Sequence, residues 1–416
     1  MAVQPPAADP STPVLGLNPF EPGFYEDPYR QYAEIRERDP VHRTPFGMWL
    51  VTRWDDVHTV LRRPGTSVED RNIASDRANR RQQLADLAGG REVRRNLSIL
   101  NIDPPDHTRL RRLVSKAFTP RAVEQIRHRA AELVDDILDD LATAEGPVDL
   151  IGTLAFPLPF TVISEMLGMP DGDRDQLRAW SHTVTLSLDP ILAMEHAEEI
   201  FDAIDHMYAA VADAVRWKRS RDDDDLFSAL LAAEDGGDVL SDAELIDNVM
   251  LLYLAGHETT VNLIGNGVHA LLGQRDQLER LVADPALDAN ATEELLRHDS
   301  PVQFSRRIAL EPFEIDGHRI ETGETVMTGL GAANRDPAKF GPHADRLDLG
   351  RANAREHVSF GSGVHHCLGA ALARLEGQEA IGRLVRRFPA IEAAAEPTHN
   401  GRMILRGYDE LPVTLA

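Results

Sequence analysis

Cysteine is all but missing from this chain: 416 residues contain one thiol, Cys367. A single cysteine excludes any intramolecular disulfide and fits a reducing cytoplasm. Basic residues are also in deficit. Against 68 acids stand 44 lysines and arginines, and a net charge of -24 opposes general binding to nucleic acid or to an anionic membrane. No long apolar run opens the chain. Met1 to Leu17 is rich in proline and alanine without a basic start, so neither a signal peptide nor a membrane anchor is expected there. Internal repeats, metal-finger spacings and phosphate-cradling glycine loops are lacking too. What is present, 42% hydrophobic and 27% charged residues, is the composition of an ordinary soluble globular protein.

Glycine surrounds the one thiol: Gly361, Gly363 and Gly369 flank Cys367 in Phe360-Gly361-Ser362-Gly363-Val364-His365-His366-Cys367-Leu368-Gly369. Such a backbone turns sharply or approaches another group closely. Ala370, Leu372, Leu375, Ile381, Leu384 and Val385 then recur at helical spacing, placing the cysteine where a loop enters a helix. A thiol there faces the positive end of a helix dipole, which favours the metal-binding thiolate. The bland alternative is a buried small apolar side chain. Zinc is disfavoured, because beside His365 and His366 there is no second thiolate.

Phe360, Gly361, Gly363, His365, Cys367, Leu368 and Gly369 match a pattern that resembles the haem-binding loop of the cytochrome P450 family. The resemblance implies haem b (heme b, iron protoporphyrin IX) with Cys367 as axial ligand. It also implies that the loop backbone donates to the sulfur, that Phe360 shields it, and that His365 reaches a haem propionate. The fold it implies is mainly α with small β-sheets (α+β), a single large helical domain around a buried haem. The motifs fall between 107 and 369, so one domain is expected at 21–416 behind a loose arm at 1–20.

Four further motifs carry the resemblance. His107 and Arg111 lie four apart after Asp103-Pro104-Pro105 and share a helix face. They match the family's pair of propionate ligands, and Arg307 matches a third contact, although Arg306 beside it leaves open which arginine points inward. Ser241 and Glu244 form a capping box that starts the longest helical pattern in the chain, running to Leu272 and about 46 Å long. Its middle, Leu251 to Ala255, is apolar nearly all round and leads into Gly256-His257-Glu258-Thr259-Thr260. Polar groups buried there are costly unless paired, and the plain reading is a kink with Glu258 reaching solvent. By resemblance this is the oxygen-binding groove, with Glu258 and Thr259 relaying protons. Glu294 and Arg297 have an ordinary helical ion-pair spacing. With Arg346 they match the family's buried glutamate-arginine-arginine triad, though the segment at 344–348 lacks the usual proline and phenylalanine.

Elsewhere the pattern predicts a helix over Asp27 to Arg38, a strand at Met48 to Thr52, and a helix from Val123 to Leu141. Helices at Val184 to Leu188 and Leu192 to Arg219 would, by resemblance, roof the pocket. Phe313 to Val326 alternates around Asp316-Gly317 and Thr322-Gly323, the mark of a small sheet. Between Arg62 and Arg95 nine arginines face five acids. That window is either a solvated surface or, through Arg71, Arg77, Arg80 and Arg81, a contact for an anionic substrate. Leu251, Leu254, Ala255, Val302 and Met403 are the expected pocket wall.

The resemblance thus implies a haem-thiolate monooxygenase that inserts one oxygen atom from O2 into an apolar substrate, by hydroxylation or epoxidation. The chain has no flavin or iron–sulfur motif, so electrons from NAD(P)H are expected through a ferredoxin reductase and a ferredoxin. The ferredoxin would dock on the cysteine side against Arg109, Arg112, Lys116 and Arg121. The expected protein is a cytoplasmic bacterial monomer. Alternatives are a peroxygenase driven by hydrogen peroxide, which Glu258 and Thr259 disfavour, a non-catalytic haem protein, and a haem-free thiol hydrolase, which lacks a base for Cys367.

Overall fold

The computed structural model describes residues 16–44, 47–74, 80–92, 94–118, 120–169, 174–221 and 223–415. Helix α1 (Tyr29–Arg38) buries Tyr29, Tyr32 and Ile35 on one face. It starts at 29 because Asp27 accepts the Tyr29 amide through its side chain at 3.1 Å. Of the arm expected at 1–20, Leu17 already packs on the cluster around α1 and Asn18 exchanges hydrogen bonds with Gln31. Strands β1 (Val41–Arg43) and β2 (Trp49–Val51) lead to α2 (Trp54–Arg62) and β3 (Thr66–Ser67).

Helices then dominate, as expected. They are α3 (Arg80–Leu87), α4 (Asp106–Ala117) and α5 (Pro120–Leu141) and, past β4 (Val148–Asp149), α6 (Pro157–Leu167), α7 (Arg174–Leu186), α8 (Leu192–Glu195), α9 (Ala197–Lys218) and α10 (Leu226–Leu231). The hairpin β5 (Glu234–Asp235) and β6 (Asp238–Val239) precedes α11 (Asp242–Leu272). Next come α12 (Arg275–Ala283), α13 (Asp288–His298), β7 (Phe304–Ala309), β8 (Phe313–Ile315), β9 (His318–Ile320) and β10 (Thr325–Gly329). The chain finishes with α14 (Leu330–Asn334), α15 (Pro337–Phe340), α16 (Ala370–Arg387), β11 (Glu392–Ala393), β12 (Thr398–His399), β13 (Tyr408–Glu410) and β14 (Pro412–Thr414).

The largest sheet runs β1-β2-β10-β7-β3, with β2 and β10 parallel and its other pairs antiparallel. Asp316 and Gly317 both have positive φ, the turn that the β8–β9 hairpin requires. The capping box of α11 is formed: the Glu244 amide donates to Ser241 Oγ at 3.3 Å, and Glu244 Oε2 accepts the Ser241 amide at 2.8 Å. This 31-residue helix runs through the main core with α6, α9, α13 and α16 around it. Its crossing with α16 depends on glycine, since a Cβ at Gly377 would lie 3.0 Å from Leu263 and one at Gly267 2.9 Å from Ile381. Burial of leucines such as Leu154, Leu158 and Leu384, each contributing about 1.5–3 kcal/mol, holds this frame. The frame in turn fixes α16 against α11, and with it the loop of Cys367 that leads into α16.

Candidate functional site

The cysteine loop is built by its glycines. Gly361 and Gly363 take positive φ, Gly361 donates to Val358 O, and the Cys367 amide donates to Phe360 O at 2.9 Å. Arg374 lies over the Phe360 ring at 4.5 Å and bonds Glu293, which also bonds His357, so the ring is held by a buried ionic group. Glu293 is depressed to about 2 because the His357 and Arg374 bonds outweigh its burial. Burial within the loop pushes the Cys367 thiol up, and the Gly369 amide, Arg111 and Arg374 pull it down, while the side chain itself is solvent-exposed. A bound metal ion is what would deprotonate such a sulfur.

Beside the sulfur two histidines and two arginines converge, with Asp103 the acid that acts on His107 and Arg307. His107 is buried, and neither ring nitrogen has a partner. The His365 ring lies tilted against it, with centroids 4.3 Å apart. Burial and neighbouring cations push His107 down to about 4 and His365 to about 3. Arg307 is 5% exposed, and among the described residues its guanidinium bonds only Arg306 O at 2.7 Å and Ser305 Oγ at 3.3 Å. Burial lowers it to about 10. Arg306 instead turns outward onto Asp70, so of the pair it is Arg307 that faces in. Arg111 donates to His366 O at 2.7 Å. A buried arginine with unused donors, a second arginine and two unpaired or neutral imidazoles fit a group that brings two carboxylates, which is what the haem propionates are.

On α11, Ala255 is accessible and Leu251, Leu254 and Thr259 are half-buried, although they sit in the middle of a central helix, so this face is left open. Thr259 donates back to Ala255 O at 3.0 Å. Glu258 is not free. Arg402 donates to it at 2.8 Å and to Thr185 Oγ1 at 2.7 Å, and His182 lies 2.9 Å from the same guanidinium. The groove acid is thereby tied to α7. Sequence reasoning missed Arg402, which is 144 residues from its partner with no spacing signal to find it. It also missed Glu376, buried on α16 near Thr260 and pushed up to about 8 by burial.

Several expectations need correction. Glu294 and Arg297 pair through two bonds of 2.7 and 2.8 Å, but the second arginine on Glu294 is Arg351, at 3.1 Å to both oxygens. Arg346 contributes its backbone carbonyl, while its side chain is exposed. The turn that brings Arg351 back, with its amide on Asp348 O, displaces Arg346 outward. Met403 is not a wall residue: it is buried with Phe24, Tyr29 and Phe304, and its amide donates to Asp189 at 2.7 Å. Val302 is half-buried and bridges Leu405. In the arginine-rich window Arg71 is paired with Glu69, Arg91 with Asp202 and Asp205, and Arg94 with Asp247. Arg77 lies outside the described residues, as do the side chains of Arg80 and Arg81. On α4, Arg109, Arg112 and Lys116 are all paired with acids, and the Arg121 side chain is not among those described.

The family model described as cytochrome P450 matches residues 48–405. Over 414 residues the chain is 44% identical to cytochrome P450 107B1 of Saccharopolyspora erythraea, covering 96% of this chain and 98% of that one. It is 43% identical to the vitamin D(3) 25-hydroxylase of Pseudonocardia autotrophica, covering 95% and 96%. The solved structure of the polyketide synthase cytochrome P450 PksS of Bacillus subtilis superposes with a TM-score of 0.85 at 37% identity, covering 96% of this chain and all of that one. The chain belongs to the cytochrome P450 family. It is a haem-thiolate monooxygenase whose cofactor is haem b, with the sole cysteine as axial ligand. Among the described residues no helix is long and apolar enough to cross a membrane.

Proposed function

We propose that the protein hydroxylates or epoxidises a large, mostly apolar substrate with electrons delivered by a ferredoxin and its NAD(P)H-dependent reductase, in the cytoplasm and as a monomer. Bound haem supplies the activation of dioxygen. The remaining roles fall to the chain. Cys367 provides the thiolate, within the loop that Phe360 and Gly369 complete. His107, Arg111, Arg307 and His365 neutralise the propionates, and Leu251, Leu254, Ala255 and Val302 hold the substrate by apolar contact. The relatives named for vitamin D(3) and for polyketide synthesis support a bulky substrate.

The observation that carries this reading is Thr259 bent back on Ala255 O beside a carboxylate held by Arg402. A hydroxyl bonded to the carbonyl one turn back sets a polar group on the open face of α11, where a proton can be passed. Glu258 is held by Arg402, so proton delivery by it needs that ion pair to loosen. Thr259→Ala tests the assignment. It should retain haem and substrate binding, while product formed per NAD(P)H falls about tenfold and hydrogen peroxide takes up the difference. Unchanged coupling would remove Thr259 from the mechanism.

A further inference from the structure

The face of α11 that is open at Leu251, Ala255 and Thr259 stays polar beyond the groove. Glu258, Asn262, Asn266 and His269 follow at spacings of four, four and three, which keeps them on one side of the helix. All four pack on the C-terminal segment. Arg402 donates to Glu258 Oε1 at 2.8 Å, and Gly407 comes so near Asn262 Oδ1 that a Cβ there would clash with it. Asn266 Nδ2 donates to Arg406 O at 3.1 Å, and the His269 ring lies 5.0 Å from that of Tyr408. Three polar atoms in this seam are left over: Asn262 Nδ2, Asn266 Oδ1 and Tyr408 Oη are buried and have no hydrogen-bond partner among the described residues. Such atoms are costly to bury dry, and polar gaps of this kind hold water. The seam ends at a cavity of about 220 Å³, lined by His269, Tyr408, Asp299 and Arg406 together with the solvent-exposed Glu26 and Asp27. That is room for several waters at about 30 Å³ each. His269, lowered by burial, is neutral near pH 7, so it can take a proton on one ring nitrogen and release one from the other.

From this we infer that the seam between α11 and the C-terminal segment is a proton inlet: waters held by Tyr408, Asn266 and Asn262 link the cavity at His269 to Glu258. The inference rests on the reading of Glu258 as a proton donor and deepens it. When Glu258 gives up its proton toward the groove, its carboxylate takes one from the nearest water. Each water behind takes one in turn and bulk solvent supplies the last, so protons balance and no electron moves. The span is short, because Glu258 and Asn266 are two helical turns apart, about 12 Å.

Two measurements on the haem-loaded protein test this. A high-resolution crystal structure should show ordered water within about 3.2 Å of each of the three atoms, and a dry seam overturns the inference. In turnover, Asn262→Val removes the polar group, Asn262→Thr keeps one in the same shape, and Tyr408→Phe removes a hydroxyl alone. Haem spectra and melting temperatures verify that each variant is folded. With Asn262→Val and Tyr408→Phe, product formed per NAD(P)H should fall about threefold to tenfold, and the solvent deuterium isotope effect on product formation should about double. Asn262→Thr should stay near the wild type; equal loss in the valine and threonine variants would make Asn262 a packing residue and sink the inlet. Glu258→Gln separates this inference from the reading beneath it. It should reproduce the Asn262→Val defect, and the double variant should be no worse. If Glu258→Gln is impaired while Asn262→Val and Tyr408→Phe behave as wild type, the inlet is wrong and the donor role of Glu258 stands. If Glu258→Gln itself behaves as wild type, Glu258 is not the donor and the inference falls with it.

Discussion

Two buried arginines ten residues apart in sequence show opposite bookkeeping. Arg297 is fully buried, and its donors are spent on both Glu294 oxygens and on the carbonyls of Asn334, Ala344 and Arg346. Around it the network continues: Asn334 bonds Ser300 and Ser359, and Arg351 closes on Glu294. Arg307 is nearly as buried, yet it holds one neighbouring carbonyl and one hydroxyl. A closed polar network is scaffold. An open one, with desolvated charge left over, is a socket for something the chain does not itself supply.

Breaking the closed network should have the largest effect. Arg297→Met leaves Glu294 buried with one arginine too few, and the loss of stability should be about 3–5 kcal/mol, read by denaturant unfolding. At Arg307 the sign should split. Arg307→Met removes a desolvated cation, so the haem-free protein should gain up to about 3 kcal/mol, while haem transfer to a competing apoprotein should become at least tenfold faster. If Arg307→Met destabilised the haem-free protein as Arg297→Met does, the distinction between scaffold and socket would be lost. The smallest effect belongs to Arg346, whose side chain is exposed. Arg346→Ala should stay within about 0.5 kcal/mol in the same unfolding assay, because its carbonyl survives the change.

What could be read from the sequence follows the range of the interaction. The cysteine loop, the His107–Arg111 pair, the capping box and the Ala255-to-Thr259 groove are local spacings, and each lies where local geometry puts it. Arg402 on Glu258, Arg351 on Glu294 and Asp235 on Arg112 are meetings of distant segments, and no periodicity announces them. For the triad the sequence pointed to Arg346, and only the path of the turn after Asp348 brings Arg351 to Glu294 instead. The Cys367 thiol shows the limit from the other side. Its place at a helix start was legible, but not the balance in which burial within the loop raises the thiol while the Gly369 amide, Arg111 and Arg374 lower it. Met403 was assigned to the pocket for being apolar, whereas the aromatic cluster of α1 claims it.

The most direct measurement is the absorption spectrum of the haem-loaded protein, reduced and saturated with carbon monoxide. The account predicts the strongly red-shifted main band of thiolate-ligated haem in the wild-type protein, and its disappearance in Cys367→Ser. A wild-type band at the position seen for a histidine-ligated globin would contradict it.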